Sequence, residues 1–150
     1  MITSTIEIAS PPEKVRSVFL DFPKMQEWHK GFIASIVVQG AEKGTGHDVK
    51  VGDKLDSSLG GISVVQVVEE NSPTQFKTRG VWHGVLTGIH GYRFEPSSTN
   101  PGGTTFTQWE EFEGLLSFVM APSLGGKTTL KHFEGFNADL KRHVEGMQEH

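Results

Sequence analysis

The sequence predicts an α+β domain in which a curved antiparallel sheet of about seven strands wraps around one long C-terminal helix, with two short helices after the first strand. Three observations predict it. From Phe32 to Phe112 strand-like segments follow one another with only turn-rich pieces between them, so consecutive strands must form a meander. The last segment carries its apolar residues at helical spacing over about 30 Å of helix. One further strand and a short helical stretch stand ahead of the meander.

Taken in chain order, Ile2, Ile6 and Ile8 share parity against Thr3, Thr5 and Glu7, as in a half-buried strand. Ser10 is placed to cap the helix that follows. Pro11 and Pro12 occupy a first turn that tolerates missing N–H groups, Glu13 follows the cap at capping-box spacing, and Val15, Val18, Phe19 and Phe22 mark one face. Pro23 ends that helix or starts a short second one, and this second segment, Lys24 to Lys30, carries Met25 and Trp28 at helical spacing. Strands are expected at Ile33 to Gln39, Lys54 to Leu59, Ile62 to Glu70, Gln75 to Trp82, Val85 to Glu95 and Thr104 to Phe112. Their separators, among them Gly40 to Gly46, Gly60-Gly61, Asn71-Ser72-Pro73, a break near Gly84 and Pro96 to Gly103, are too short for a domain linker, so residues 1–150 read as one domain. The closing helix runs from about Lys127 to Gln148, with Leu130, Phe133, Asn137, Leu140, Val144 and Met147 on one stripe. Gly135 inside it costs about 1 kcal/mol relative to alanine, which points to a close approach or a bend there.

Composition narrows the function classes. The chain has 150 residues, 35% apolar and 21% charged, enough to bury a substantial core. Its net charge of −4 comes without a block of like charge, so no basic footprint for nucleic acid or an anionic membrane exists. The absence of cysteine removes disulfides, thiolate metal sites and cysteine nucleophiles. Met1 to Ser10 has neither the basic nor the apolar region of a signal peptide, and Leu115 to Ala121 is far shorter than the ~20 residues that span a bilayer. The expectation is a soluble, cytoplasmic protein without membrane insertion.

The residues also carry a family resemblance. The entry Ile8-Ala9-Ser10-Pro11-Pro12-Glu13-Lys14-Val15 with Trp28 downstream, then Trp82-His83-Gly84, His90-Gly91-Tyr92-Arg93-Phe94-Glu95-Pro96, Gly103 to Leu116, and Phe136-Asn137-Ala138-Asp139-Leu140-Lys141 together resemble the START-like, or SRPBCC, helix-grip superfamily, in its polyketide cyclase/dehydrase branch. The order of elements matches over essentially the whole chain. One departure is that Trp28 is followed by His29 and Lys30 where the branch often has asparagine and proline, which implies a different cavity mouth. The resemblance implies an internal cavity for a hydrophobic small molecule and chemistry ranging from cyclisation and dehydration to plain carriage.

A sheet wrapped on one helix cannot close tightly at both ends, so a cavity is expected between them. Alternation puts Trp82, His90, Tyr92 and Phe94 on one parity, and Phe106, Gln108, Glu110 and Phe112 on one parity of the next strand; Trp109 argues for the opposite face. A carboxyl group in an apolar cavity holds its proton to higher pH, which makes His90 and Glu110 the candidate catalytic pair. Tyr92 and Gln108 would orient the ligand, and Trp28, Trp82, Phe106, Phe112, Phe133 and Asn137 would complete the ligand-binding set. The alternative is that His90 and Glu110 satisfy one another, or bind water, beneath a carried ligand. Burial of Asn137 on an apolar stripe demands a partner, which a ligand could supply.

No metal site is expected, since His83 and His90 have opposite parity and neither HxH nor HExxH spacing occurs. His132 and His143 are expected to face solvent. Gly126-Lys127-Thr128 lacks the leading glycine of a phosphate loop, Gly44 and Gly46 lack the third glycine of a dinucleotide fingerprint, and no serine elbow exists. No cofactor is implied. Opening of the cavity is expected where Gly40 to Gly52 and Ala121 to Gly126 meet the second helix. The reading is therefore a cofactor-independent cyclase-, dehydratase- or isomerase-like enzyme acting on a hydrophobic carbonyl compound; the alternative is a non-catalytic carrier of a lipid, sterol or polyketide.

Overall fold

A computed structural model describes residues 1–120 and 125–147. The strands are β1 (Ile2–Ile8), β2 (Ile33–Val38), β3 (Lys54–Leu59), β4 (Ile62–Asn71), β5 (Gln75–Trp82), β6 (Leu86–Pro96) and β7 (Thr104–Glu113), and the α-helices are α1 (Pro12–Leu20) and α2 (Gly125–Met147). They form one antiparallel sheet in the order β1-β7-β6-β5-β4-β3-β2, so the meander runs without interruption and β1 closes beside the last strand. Two register shifts, between Ile33 and Ser35 and between Val68 and Glu70, fall in the outer half of this sheet. Helix α2 lies across the concave face, packed most extensively on β1.

The local expectations hold with four corrections. Pro11, with an extended backbone, occupies the N-cap position of α1, and its carbonyl accepts from Lys14 and Val15. Ser10 is instead buried, with its hydroxyl unpartnered and its carbonyl taken by the Thr104 hydroxyl at 2.6 Å. Helix α1 stops at Leu20, and the second helix is a 3-10 turn, Phe22–Glu27, which starts before Pro23. Gly135 is exposed, and a Cβ there would meet nothing, so neither close approach nor contact explains it. His132 and His143 are half-buried, stacked on Phe32 and Trp28 respectively. An imidazole edge in water and a face on an aromatic ring satisfy both halves of such a side chain.

The core occupies one end of the concave face. Phe19 of α1 sits at its centre, with ring centroids 4.4 Å from Tyr92, 5.6 Å from Phe94, 5.8 Å from Phe76 and 6.2 Å from Phe136. Trp109 lies on the opposite, convex face although it is nearly buried. Its indole spreads over Gly91 on the neighbouring strand, where a Cβ would fall inside the ring, donates to Gln75 at 2.9 Å, and receives the Arg93 guanidinium at 5.6 Å. Trp109 and the inward parity of Phe106 to Phe112 are thus compatible.

Candidate functional site

The inward positions of β5 and β6 pair as rungs: Phe76 with Tyr92, Thr78 with His90, Gly80 with Gly88, and Trp82 with Leu86. The first rung belongs to the aromatic core, and the third and fourth line a hollow between the sheet and α2. Here a cavity of about 290 Å³ opens, walled by Phe32, Leu59, Ile62, Val64, Trp82, Leu86, Phe112 and Met120, floored by Gly80 and Gly88, and carrying Gln66, His90, Glu110 and Thr129 as its polar groups. Among these described lining residues none is lysine or arginine. Its mouth lies at the β3–β4 and β5–β6 turns, the end of the strands opposite Gly40 to Gly52. That glycine-rich segment instead packs on Leu20 and Phe22 through Gly46 and is held by Asn71, so its expected part in opening is corrected. Residues 121–124 of the other expected opening segment lie outside the described residues.

One of these polar groups, His90, is connected through two buried side chains to a fixed point of the backbone. The Ser4 carbonyl can only accept, so the Asn137 amide must turn its Nδ2 toward it, at 3.2 Å. Asn137 Oδ1 then accepts from Gln108 Nε2 at 2.9 Å, which leaves Gln108 Oε1 to accept from His90 Nε2 at 2.8 Å. The proton of the neutral imidazole is thereby placed on Nε2, and the Nδ1 lone pair faces Glu110 Oε1 across 3.9 Å. That gap is too long for a direct hydrogen bond. Neither Nδ1 nor the Glu110 carboxyl has a hydrogen-bond partner among the described residues.

Burial sets the protonation of both. Removal from water lowers the His90 value from its ordinary 6.5 to about 4, against a smaller opposing effect of the Gln108 hydrogen bond. The same cause raises Glu110 from 4.5 to about 8. Tyr92, stacked on His90 at 4.5 Å, is raised by burial first and by the proximity of Glu110 second. At neutral pH the cavity therefore presents a protonated carboxyl and an unprotonated ring nitrogen side by side.

A family model described as polyketide cyclase / dehydrase and lipid transport matches residues 1–145. The chain belongs to this family. Its fold is START-like: a START superfamily protein from Mycobacterium smegmatis superposes with a TM-score of 0.65 at 19% identity, covering 97% of each chain. A hypothetical protein of Helicobacter pylori gives a TM-score of 0.77 at 14% identity, covering 95% of this chain and 86% of that one. A di-domain ARO/CYC protein of the steffimycin biosynthetic pathway gives 0.68 at 11% identity over 99% of this chain and 46% of the other. No curated protein matches in sequence.

Within this helix-grip frame the residues singled out from sequence divide into two groups. His90, Glu110, Trp82 and Phe112 line the cavity. Tyr92, Phe106 and Phe133 are buried among other rings, Phe133 with its centroid 5.0 Å from His90. Gln108 and Asn137 satisfy each other and His90, so Asn137 has protein partners rather than needing a ligand. Trp28 packs on Phe136 and His143 and borders a separate surface depression with Asp139 and Arg142, away from the cavity. The neighbouring His29 accepts from the Ile33 N–H and therefore donates through Nδ1 to Asp139 at 2.9 Å, tying the 3-10 turn to α2. The departure from the family pattern at this position is a structural clamp, and the mouth lies elsewhere.

Sequence reasoning missed the outer wall from Ile62 to Gln66 and the glycine floor. Both carry a usable signal, because Ile62, Val64 and Gln66 alternate as the neighbouring strands do, and Gly80 and Gly88 share parity with Trp82 and His90.

Proposed function

We propose that the protein is an acid–base catalyst that holds an uncharged, hydrophobic carbonyl compound in this cavity and promotes its cyclisation, dehydration or isomerisation through Glu110 and His90. One observation carries the reading: a carboxyl that keeps its proton at neutral pH stands 3.9 Å from a ring nitrogen whose lone pair is directed at it by a hydrogen-bond chain. An oxygen of the ligand placed in that gap would lie within reach of both. Glu110 donates its proton to the carbonyl oxygen while His90 Nδ1 removes a proton from the adjacent carbon, giving the enol, a carboxylate and an imidazolium. Although His90 is a weak base beside a neutral Glu110, the carboxylate formed as Glu110 gives up its proton stabilises the imidazolium. Return of the imidazolium proton to another carbon, with the enol O–H proton passing back to the Glu110 carboxylate, completes an isomerisation. In a dehydration, Glu110 protonates the leaving hydroxyl, water departs, and the proton on Nδ1 returns to the carboxylate.

The apolar walls, and a family that includes lipid transport, favour carriage as the second reading. Incubation with a hydrophobic metabolite extract, followed by mass spectrometry of bound and free compounds, separates the two. Conversion of a compound by the wild type, with binding but no conversion by Glu110→Gln, supports catalysis. Stoichiometric retention of an unchanged compound by both proteins assigns a carrier. If turnover occurs, kcat/KM should be bell-shaped, falling below about pH 4 as His90 is protonated and above about pH 8 as Glu110 ionises.

A further inference from the structure

Two glycines in the middle of strands call for an explanation. Gly80 and Gly88 pair directly across β5 and β6, Gly80 is flanked by Gln66 on β4, and Gly88 by Phe112 on β7. Neither has the left-handed backbone that marks Gly60, Gly61 and Gly84 in the turns at the same end of the sheet. Glycine inside a strand is less favourable than alanine, and where the backbone does not require it, it marks a place that something approaches closely. On the concave side the close approaches come sideways, from side chains of the neighbouring strands, and the space above both glycines is the cavity.

Each glycine also makes room sideways. A Cβ on Gly88 would stand 2.5 Å from Glu110 Oε2, so the carboxyl occupies its seat only because that side chain is missing. A Cβ on Gly80 would approach Val64 Cγ1 to 3.0 Å and the Gln66 side chain to 3.4 Å, and would stand up from the floor. The result is a patch of bare peptide two strands wide, roughly 5 Å across. Trp82 and Leu86 bound it on the rung toward the mouth, and Thr78 and His90 on the rung toward the core. The Thr78 hydroxyl on that inner rung is buried and has no partner.

We infer that Gly80 and Gly88 are specificity-determining residues, which form a flat floor selecting a planar ligand that lies face-down on the backbone with its oxygen edge toward His90 and Glu110. A flat ring keeps van der Waals contact with peptide groups over its whole face, whereas a puckered ring of the same carbon skeleton stands off from them. Gly88 is in addition a positioning residue, since it sets where the Glu110 carboxyl rests. The inference rests on the proposed use of this cavity for an uncharged ligand and adds the shape of that ligand.

The test uses two alcohols of one skeleton, 2-naphthol and decahydro-2-naphthol, binding to the full chain measured by calorimetry. The wild type is expected to prefer 2-naphthol by about tenfold or more, the range that one misfitting methylene is worth in a pocket. Gly80→Ala should abolish that preference by weakening 2-naphthol alone, with a melting temperature within a few degrees of the wild type's, because the gain of alanine over glycine in an extended strand offsets the small shift that the Val64 methyl must make. Gly88→Ala should in addition move the upper limb of any pH profile, since Glu110 must leave its seat, and it serves as the second variant if Gly80→Ala is poorly folded. Equal binding of the two alcohols by the wild type, or a preference that survives Gly80→Ala, overturns the flat-floor assignment while leaving a ligand-binding cavity in place. Binding of neither alcohol overturns both this assignment and the proposed use of the cavity.

Discussion

The two ends of the concave face are built on the same strands and differ in what fills them. At one end the inward positions of β5, β6 and β7 are Phe76, Tyr92, Phe94 and Phe106, and Phe19 and Phe136 close over them from the helices. Two rungs further along the inward pair is Gly80 and Gly88, and among the described residues α2 reaches the space above them only with the small side chain of Thr129. Between them runs a band of buried polar groups, Thr78, His90, Gln108 and Asn137, of which the last three form a hydrogen-bond chain that ends on the Ser4 carbonyl. The contrast shows how a small domain combines stability with a hollow. One end supplies the packing, and the polar band fixes the boundary at which packing stops.

The largest expected effect lies at the filled end. Phe19→Ala should destabilise the protein by about 3–5 kcal/mol in denaturant unfolding, since it removes the ring that five others contact. A loss below about 1 kcal/mol would mean that the two ends do not differ as described. Next comes the polar band. Asn137→Leu leaves Gln108 Nε2 buried without its acceptor and should cost about 1–3 kcal/mol. It should also release the His90 tautomer, which nitrogen-detected NMR reads directly as mixed Nδ1–H and Nε2–H forms where the wild type has Nε2–H.

The two kinds of strand glycine sharpen the comparison. Gly91→Ala pushes a methyl group into the Trp109 indole on the convex face and should cost about 1–3 kcal/mol, whereas Gly80→Ala, which asks only the Val64 methyl to give slightly at the edge of the hollow, should cost less than about 1 kcal/mol by thermal melting.

Ionisation at the open end adds a dependence on pH that the filled end lacks. Folding raises the Glu110 value from 4.5 to about 8, so the folded state binds a proton that the unfolded state has released, and stability falls as pH rises through that window. The opposite holds for His90, whose value falls from 6.5 to about 4, so that stability is lost as pH drops through that range. Glu110→Gln removes the alkaline loss, and its melting temperature should exceed the wild type's at pH 9 by more than at pH 5. An equal difference at both pH values would show that Glu110 ionises as it does in the unfolded chain.

Much of this organisation is legible in the order of residues. The strands β3 and β5 fall on the segments whose alternation marks them, and α2 follows the stripe from Leu130 to Met147. The inward parity of His90 and Glu110 is equally local, because period-two alternation is a property of the strand itself. Trp109 is the one ambiguous residue in that strand, and Gly91 on the neighbouring strand resolves it. Nothing within β7 alone could do so.

The sequence by itself therefore determined the order of elements, the faces of the strands, and the presence of a histidine and a carboxyl on one of those faces. The tertiary structure alone decided which inward residues face a solid core and which face a hollow. It placed Tyr92, Phe106 and Trp28 in the packed region, with Asn137 tied into the polar band, and moved the mouth to the turns around Gly60 and Gly84. The physical reason is that a cavity is a difference between volumes contributed by β4, β5, β6, β7 and α2, set by sheet curvature and by how far side chains reach across it. The direction of the His90 proton is likewise a sum over Ser4, Asn137 and Gln108, residues far apart in the chain that meet only once it is folded.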